Sequence, residues 1–174
     1  RCGGEKGEEL VALTPDDVHV CALRAGLLYR LERYADAEAE CARGLSEHGD
    51  RPDLLFLRAG ARWQGSKVEE AVADLTTFLA RAPERKEGLR LRGECLVYLE
   101  KWAEARADLE SFVAGDGTDA KAWFMLGMCA FRMQDRAAIG YFGKAEALYP
   151  EGPDRDRARP GAATSCRRRG TATI

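Results

Sequence analysis

Long apolar runs are missing from this chain: none of its 174 residues belong to a stretch of about 18 apolar residues, so no segment reads as a membrane-spanning helix. The six cysteines (Cys2, Cys21, Cys41, Cys95, Cys129 and Cys166) are scattered, with no CxxC and no Cys/His pair at ligand spacing. His19 and Cys21 are too close along the chain to form a site without other ligands, and His48 falls at a helix end, so no zinc site is expected. Ser46, Ser66, Ser111 and Ser165 have no GxSxG context. The GDGTD segment around Gly115 and Gly117 is too short for a calcium loop and lacks the GK(S/T) ending of a phosphate loop. No catalytic constellation, metal or cofactor is therefore expected. A net charge of −2, with 32% charged residues of both signs, gives no global field to steer nucleic acid. That argues against an RNA-reading helical-hairpin repeat, which needs a basic groove.

What the chain does have is a period. Ala25, Ala59, Gly93 and Gly127 follow one another at 34 residues, and Ala37, Ala71, Ala105 and Ala138 at 34, 34 and 33. Tyr34, Val68 and Trp102 recur between these markers, whereas the fourth copy lacks the bulky residue and is one residue short. A fixed period of this size means stacked supersecondary units, and about 34 residues hold two helices and two turns. Leu54, Leu55, Leu57 and Ala61 share helical spacing, Gly65 breaks it, and Val68, Ala71, Val72, Leu75 and Leu79 resume it. The unit is a helical hairpin whose small residues let the two axes approach closely. Pro15, Pro83 and Pro150 mark the ends of second helices.

With Trp123, Leu126-Gly127 and Pro150 in the fourth copy, residues 18 to 150 resemble the tetratricopeptide-repeat (TPR) family. The resemblance implies an all-α, right-handed superhelix of about four hairpins (18–51, 52–85, 86–119 and 120–150). Phe78 and Phe112 stand where the family usually keeps a small residue, which bears on how neighbouring units stack. Residues 1–17 read as the remnant of an earlier, truncated repeat, and the Gly/Pro/Arg-rich 151–174 as a disordered tail. That tail offers no apolar helix to cap the last unit, so an exposed Phe142 or Leu148 would point either to further repeats or to a partner that covers them.

The period also aligns charges. Arg24, Arg58 and Arg92 share one repeat position, and Glu40, Asp74 and Asp108 another, 16 residues further on. In the fourth copy these places become Leu126 and Tyr141. Paired loss predicts a structural ion pair across each hairpin rather than a ladder for binding phosphate.

Functional expectations follow from the family resemblance. In TPR arrays the first helices line the concave face, and the inward places in this chain include Tyr29 and Arg30, Phe56 and Trp63, Arg90 and Tyr98, and Lys121, Phe124, Met128 and Arg132. Aromatics with arginines nearby are the usual composition of interface hot spots. The clamp by which some TPR domains hold a chaperone's C-terminal carboxylate is not matched. Its places hold Ala22, Gly26, Leu57, Glu87 and Leu91, or, one copy later, Phe56, Gly60, Leu91, Lys121 and Met125, where Lys121 alone fits.

The expected role is a non-catalytic scaffold binding a peptide or helix of a partner protein, with no nucleic acid and no membrane span. Unpaired cysteines favour the cytoplasm. Two other readings stay open: a regulatory or substrate-docking arm of a larger enzyme or assembly, and self-association through uncapped end repeats.

Overall fold

The computed structural model describes residues 17–149. The expectations for an N-terminal repeat remnant and a disordered C-terminal tail lie outside the described residues. Eight α-helices and no strands are found among them: α1 (Val18–Arg30), α2 (Tyr34–His48), α3 (Pro52–Gln64), α4 (Val68–Arg81), α5 (Glu87–Tyr98), α6 (Trp102–Val113), α7 (Ala120–Arg132) and α8 (Ala137–Leu148). Each helix packs on its neighbours in sequence, and α1, α3, α5 and α7 also touch in succession. Those first helices form the inner layer of an all-α solenoid.

Local chemistry sets the helix starts. Asp17 accepts a hydrogen bond from His19 N at 2.8 Å and Asp119 from Ala122 N at 2.9 Å, capping α1 and α7, while α3 opens on Pro52. The turn inside every hairpin is the same Schellman motif. In the first, Arg33 N donates to Leu28 O and Glu32 N to Tyr29 O, both at 3.0 Å. The left-handed residue of the four turns is Glu32, Ser66, Glu100 or Gln134, with φ between 57° and 62°. Gly65, which breaks the hydrophobic pattern, is not the left-handed residue: it has φ −81° and the strain falls on Ser66.

Side-chain sizes alternate where helices cross. Within a hairpin, the second-helix residue grows from Cys41 through Leu75 and Leu109 to Phe142 as its partner shrinks from Ala25 and Ala59 to Gly93 and Gly127. A Cβ on Gly93 would lie 2.7 Å from Leu109 Cγ, and one on Gly127 2.6 Å from Phe142 Cδ1. Between hairpins the order reverses along the stack. Gly44 faces Leu54 at the first junction, Phe78 faces Gly88 at the second, and at the third the corresponding Phe112 and Ala122 lie in one buried cluster. Phe78 and Phe112 are thus accommodated by small residues on the next helix, which keeps the units in contact. At the end of the array Leu148 is exposed, whereas Phe142 is half-buried against Gly127 and Phe124.

Among the described residues the buried charged ones are Glu40, Asp74 and Asp108, one repeat position in three copies. Arg58 grips Asp74 with two bonds of 2.9 and 2.6 Å, and Arg92 grips Asp108 with two of 2.6 and 2.7 Å. The expected Arg24–Glu40 pair does not form. Glu40 is held by Arg43, three residues on along α2, at 2.7 Å. A residue one turn away on the same helix reaches the carboxylate before one on the facing helix does. In the fourth hairpin Leu126 is fully buried, and the Tyr141 hydroxyl donates to Glu110 at 2.8 Å.

Candidate functional site: a pocket on the inner helices

Three of the inner-face residues chosen from sequence converge. Tyr29 at the end of α1, Phe56 on α3 and Arg90 on α5 line one pocket of about 280 Å³ together with Leu57, Gly60, Glu87 and Leu91. Its apolar walls arise from the packing itself. Phe56 is set against Phe78 with ring centroids 5.3 Å apart, and Tyr29 stands edge-on to Tyr34 at 5.4 Å. The absence of a side chain at Gly60 leaves the floor open: a Cβ there would meet Tyr29 Cε2 at 3.4 Å. Leu57 and Leu91 share one repeat position, 34 residues apart, just beyond Phe56 and Arg90. In the sequence Leu57 figures in the apolar helical spacing and both leucines as failed clamp positions, not as groove residues.

The rim is charged and internally paired. Arg85 donates to Asp53 at 2.5 Å and to Glu87 at 2.7 Å, and these bonds, Asp53 first, raise its pKa and keep it cationic. Arg90 bridges Glu94 at 3.3 Å and Asp119 at 3.2 Å, and Lys121 also bonds Glu94. With its carboxylate already in place, Lys121 is a poor start for a chaperone-type clamp. The pocket offers apolar contact below and polar contact at the edge.

The other sequence-chosen residues lie apart from it. Trp63 meets Tyr98 at right angles, centroids 5.5 Å apart, with Tyr98 66% exposed. Phe124 is drawn against Phe142 at 5.6 Å and packs on the core of the last two hairpins. Met128 is half-buried and Arg30 exposed. Arg132 places its guanidinium over Trp102, 5.4 Å from the ring centre, and so points toward the second-helix layer. Away from the inner face, Phe131 and Ile139, 68% and 72% exposed, flank a hollow at the α7–α8 turn.

Thiol chemistry does not enter the pocket. Cys41, Cys95 and Cys129 are free and fully buried, and burial pushes their pKa values up to about 12, 12 and 11, so they remain protonated. Cys21 is also free and buried, and lies near Glu47 and His48.

Comparison with known proteins agrees with this architecture. A family model described as tetratricopeptide repeat matches residues 23–83 and 96–153, more than half of the chain. No curated protein matches it. Among solved structures it is similar to residues 41 to the end of MamA from Desulfovibrio magneticus RS-1, with 18% identity, a TM-score of 0.75, and coverage of 82% of this chain and 81% of that one. It is also similar to YrrB, described as a TPR protein with an unusual peptide-binding site, at 19% identity and TM-score 0.77, covering 87% and 79%. A third is the first TPR of Spaghetti (RPAP3) bound to an HSP90 peptide, at 19% identity and TM-score 0.65, covering 68% and 94%. At these identities the likeness shows the fold alone. The 34-residue hairpins, their inner helix layer and the family match together establish that this chain belongs to the tetratricopeptide-repeat family.

Proposed function

We propose that the array is a non-catalytic scaffold that binds a segment of a partner protein along its inner face, seating one bulky apolar side chain in the Tyr29–Phe56–Leu91 pocket. The observation that carries this reading is the pocket: an apolar hollow of about 280 Å³ formed by three successive first helices, open at Gly60 and edged by Glu87 and Arg90. A hollow of that size takes one leucine, methionine or phenylalanine side chain, while the rim charges can hydrogen-bond the backbone of an extended or helical ligand. The Trp63–Tyr98 pair, half-buried at Trp63 and exposed at Tyr98, supplies a second apolar contact along the same face. By their descriptions YrrB has an unusual peptide-binding site and the Spaghetti domain is bound to an HSP90 peptide, and such use of the fold supports this reading. Because the hairpins are preorganised, the ordering cost of binding falls on the ligand.

Protonated, unpaired thiols suit a reducing compartment, and we place the protein in the cytoplasm. A second reading, self-association, is favoured by one feature, the exposed Phe131–Ile139 hollow. Displayed peptides selected on the wild type and counter-selected on Gly60→Leu separate the two. Enrichment of peptides with one shared bulky apolar position that fail on Gly60→Leu supports the groove. Peptides bound equally by both proteins contradict it.

A further inference from the structure

Three groups that the inner face does not use meet at the open end of the first hairpin. Cys21 comes from the start of α1, and Glu47 and His48 from the end of α2. A thiol, a carboxylate oxygen and an imidazole nitrogen lie within 4.8 Å of one another there. Cys21 is fully buried. His48 Nε2 is buried as well and has no hydrogen-bond partner, alone among the buried side-chain nitrogens and oxygens of the described residues. A buried imidazole nitrogen left without a partner is costly unless something accepts its lone pair or its proton. Its nearest ionic neighbour, Glu47 Oε2, is 3.8 Å away, too far for a hydrogen bond but close to the separation of two ligands on one tetrahedral ion.

We propose that Cys21, Glu47 and His48 form a binding site for a transition-metal ion of the zinc class, which ties α1 to α2 and leaves a fourth position for water. Sulfur, imidazole and carboxylate are the ligand types such an ion takes in tetrahedral sites. Spacing along the sequence hides the set, because Cys21 and His48 are brought together only by the hairpin.

One cation is already present. Arg43 donates to both Glu47 oxygens at 3.0 Å and lies 3.3 Å from Cys21 Sγ, but it also donates to the buried Glu40 at 2.7 Å. Glu40 can keep that guanidinium while the ion takes Glu47 and the thiolate. Three negative groups (Cys21 as thiolate, Glu40 and Glu47) then balance Arg43 and a divalent ion. The thiol proton leaves to solvent when the ion binds.

The test is a titration of the whole chain with Co²⁺ under reducing conditions, followed by Zn²⁺ competition. The expected result is one equivalent bound, with a near-ultraviolet thiolate-to-cobalt band that Zn²⁺ removes. Cys21→Ser abolishes the band, and His48→Ala, at a partly exposed helix end where the fold is retained, weakens binding about 10- to 100-fold or more. Cys2→Ser and Cys166→Ser leave it unchanged. Absence of the band in the wild type overturns the proposal, as does its persistence in folded Cys21→Ser. Should Cys21→Ser fail to fold, equal affinity in wild type, His48→Ala and Glu47→Gln overturns it.

Discussion

Phe78 and Gly88 fit together as a large and a small residue across the junction of the second and third hairpins: a Cβ on Gly88 would lie 2.5 Å from Phe78 Cε1 and 3.0 Å from Leu79 Cδ2. Phe78 is fully buried and its ring is held by Phe56 and by the Arg85 guanidinium, 5.0 Å from its centre, so it cannot swing aside. Gly88→Ala is therefore expected to destabilise the array by about 1 to 3 kcal/mol through overpacking, and Phe78→Ala by about 3 to 5 kcal/mol through the cavity it leaves. The double variant Phe78→Ala/Gly88→Leu restores the size order of the Gly44–Leu54 junction. Its loss measured by urea unfolding should be smaller than the sum of the two singles, Phe78→Ala and Gly88→Leu.

Arg58 and Asp74 repeat the same logic with charge. Asp74→Ala strands the Arg58 guanidinium, whose side chain is 19% exposed, whereas Arg62 keeps Glu38 at 3.0 Å, and the substitution should cost about 3 kcal/mol. Replacing both members, Arg58→Leu with Asp74→Tyr, reproduces the fourth hairpin's Leu126 and Tyr141 and should cost less than Asp74→Ala alone. Thermal unfolding of the wild type, Asp74→Ala and the double variant checks this.

The turns carry removable strain. Glu100 and Gln134 adopt φ of 57° without being glycine. Glycine lacks the Cβ that makes this conformation costly, although it gives up backbone entropy on folding. Glu100→Gly and Gln134→Gly are each expected to stabilise by about 0.5 to 1 kcal/mol, read as a raised denaturant midpoint. Valine at either place should do the reverse.

Acid sensitivity should centre on the second-helix layer. Hydrogen bonds from Arg106, and then from Tyr141, hold the Glu110 carboxyl below the ordinary range despite partial burial. Burial raises the Glu38 pKa, yet bonds from Lys67 and Arg62 outweigh it and also leave it lowered. A carboxyl depressed in the folded state contributes stability that is complete above its unfolded pKa of about 4.3 and is lost as pH falls through the folded value. Unfolding midpoints of the wild type should therefore drop between neutral pH and the region below about 4, and Glu110→Gln should show a shallower drop.

Repetition made the fold legible: the spacing of Ala25, Ala59, Gly93 and Gly127 marks the helix crossings, and the Arg58–Asp74 and Arg92–Asp108 pairs were readable as covarying positions within one chain. The first copy was not. Arg24 and Glu40 keep the register, but Arg43 lies one turn from Glu40, and local reach overrides the repeat. The turns were hidden because Glu32, Ser66, Glu100 and Gln134 do not advertise a left-handed conformation, whereas Gly65 beside them does. At the pocket, Tyr29, Phe56 and Arg90 could be chosen from register, but its walls could not. Leu57 and Leu91 look like ordinary core leucines until three helices curve around them.

The central claim is that the Tyr29–Phe56–Leu91 pocket anchors a partner segment. Calorimetric titration of one selected peptide into the wild type, Gly60→Leu, Phe56→Ala, Trp63→Ala and Ile139→Ala tests it most directly. Gly60→Leu should occlude the pocket and weaken binding at least about tenfold, Phe56→Ala and Trp63→Ala should each cost about 1 to 3 kcal/mol, and Ile139→Ala should change nothing. Unchanged affinity in Gly60→Leu, Phe56→Ala and Trp63→Ala, or a loss confined to Ile139→Ala, would contradict it.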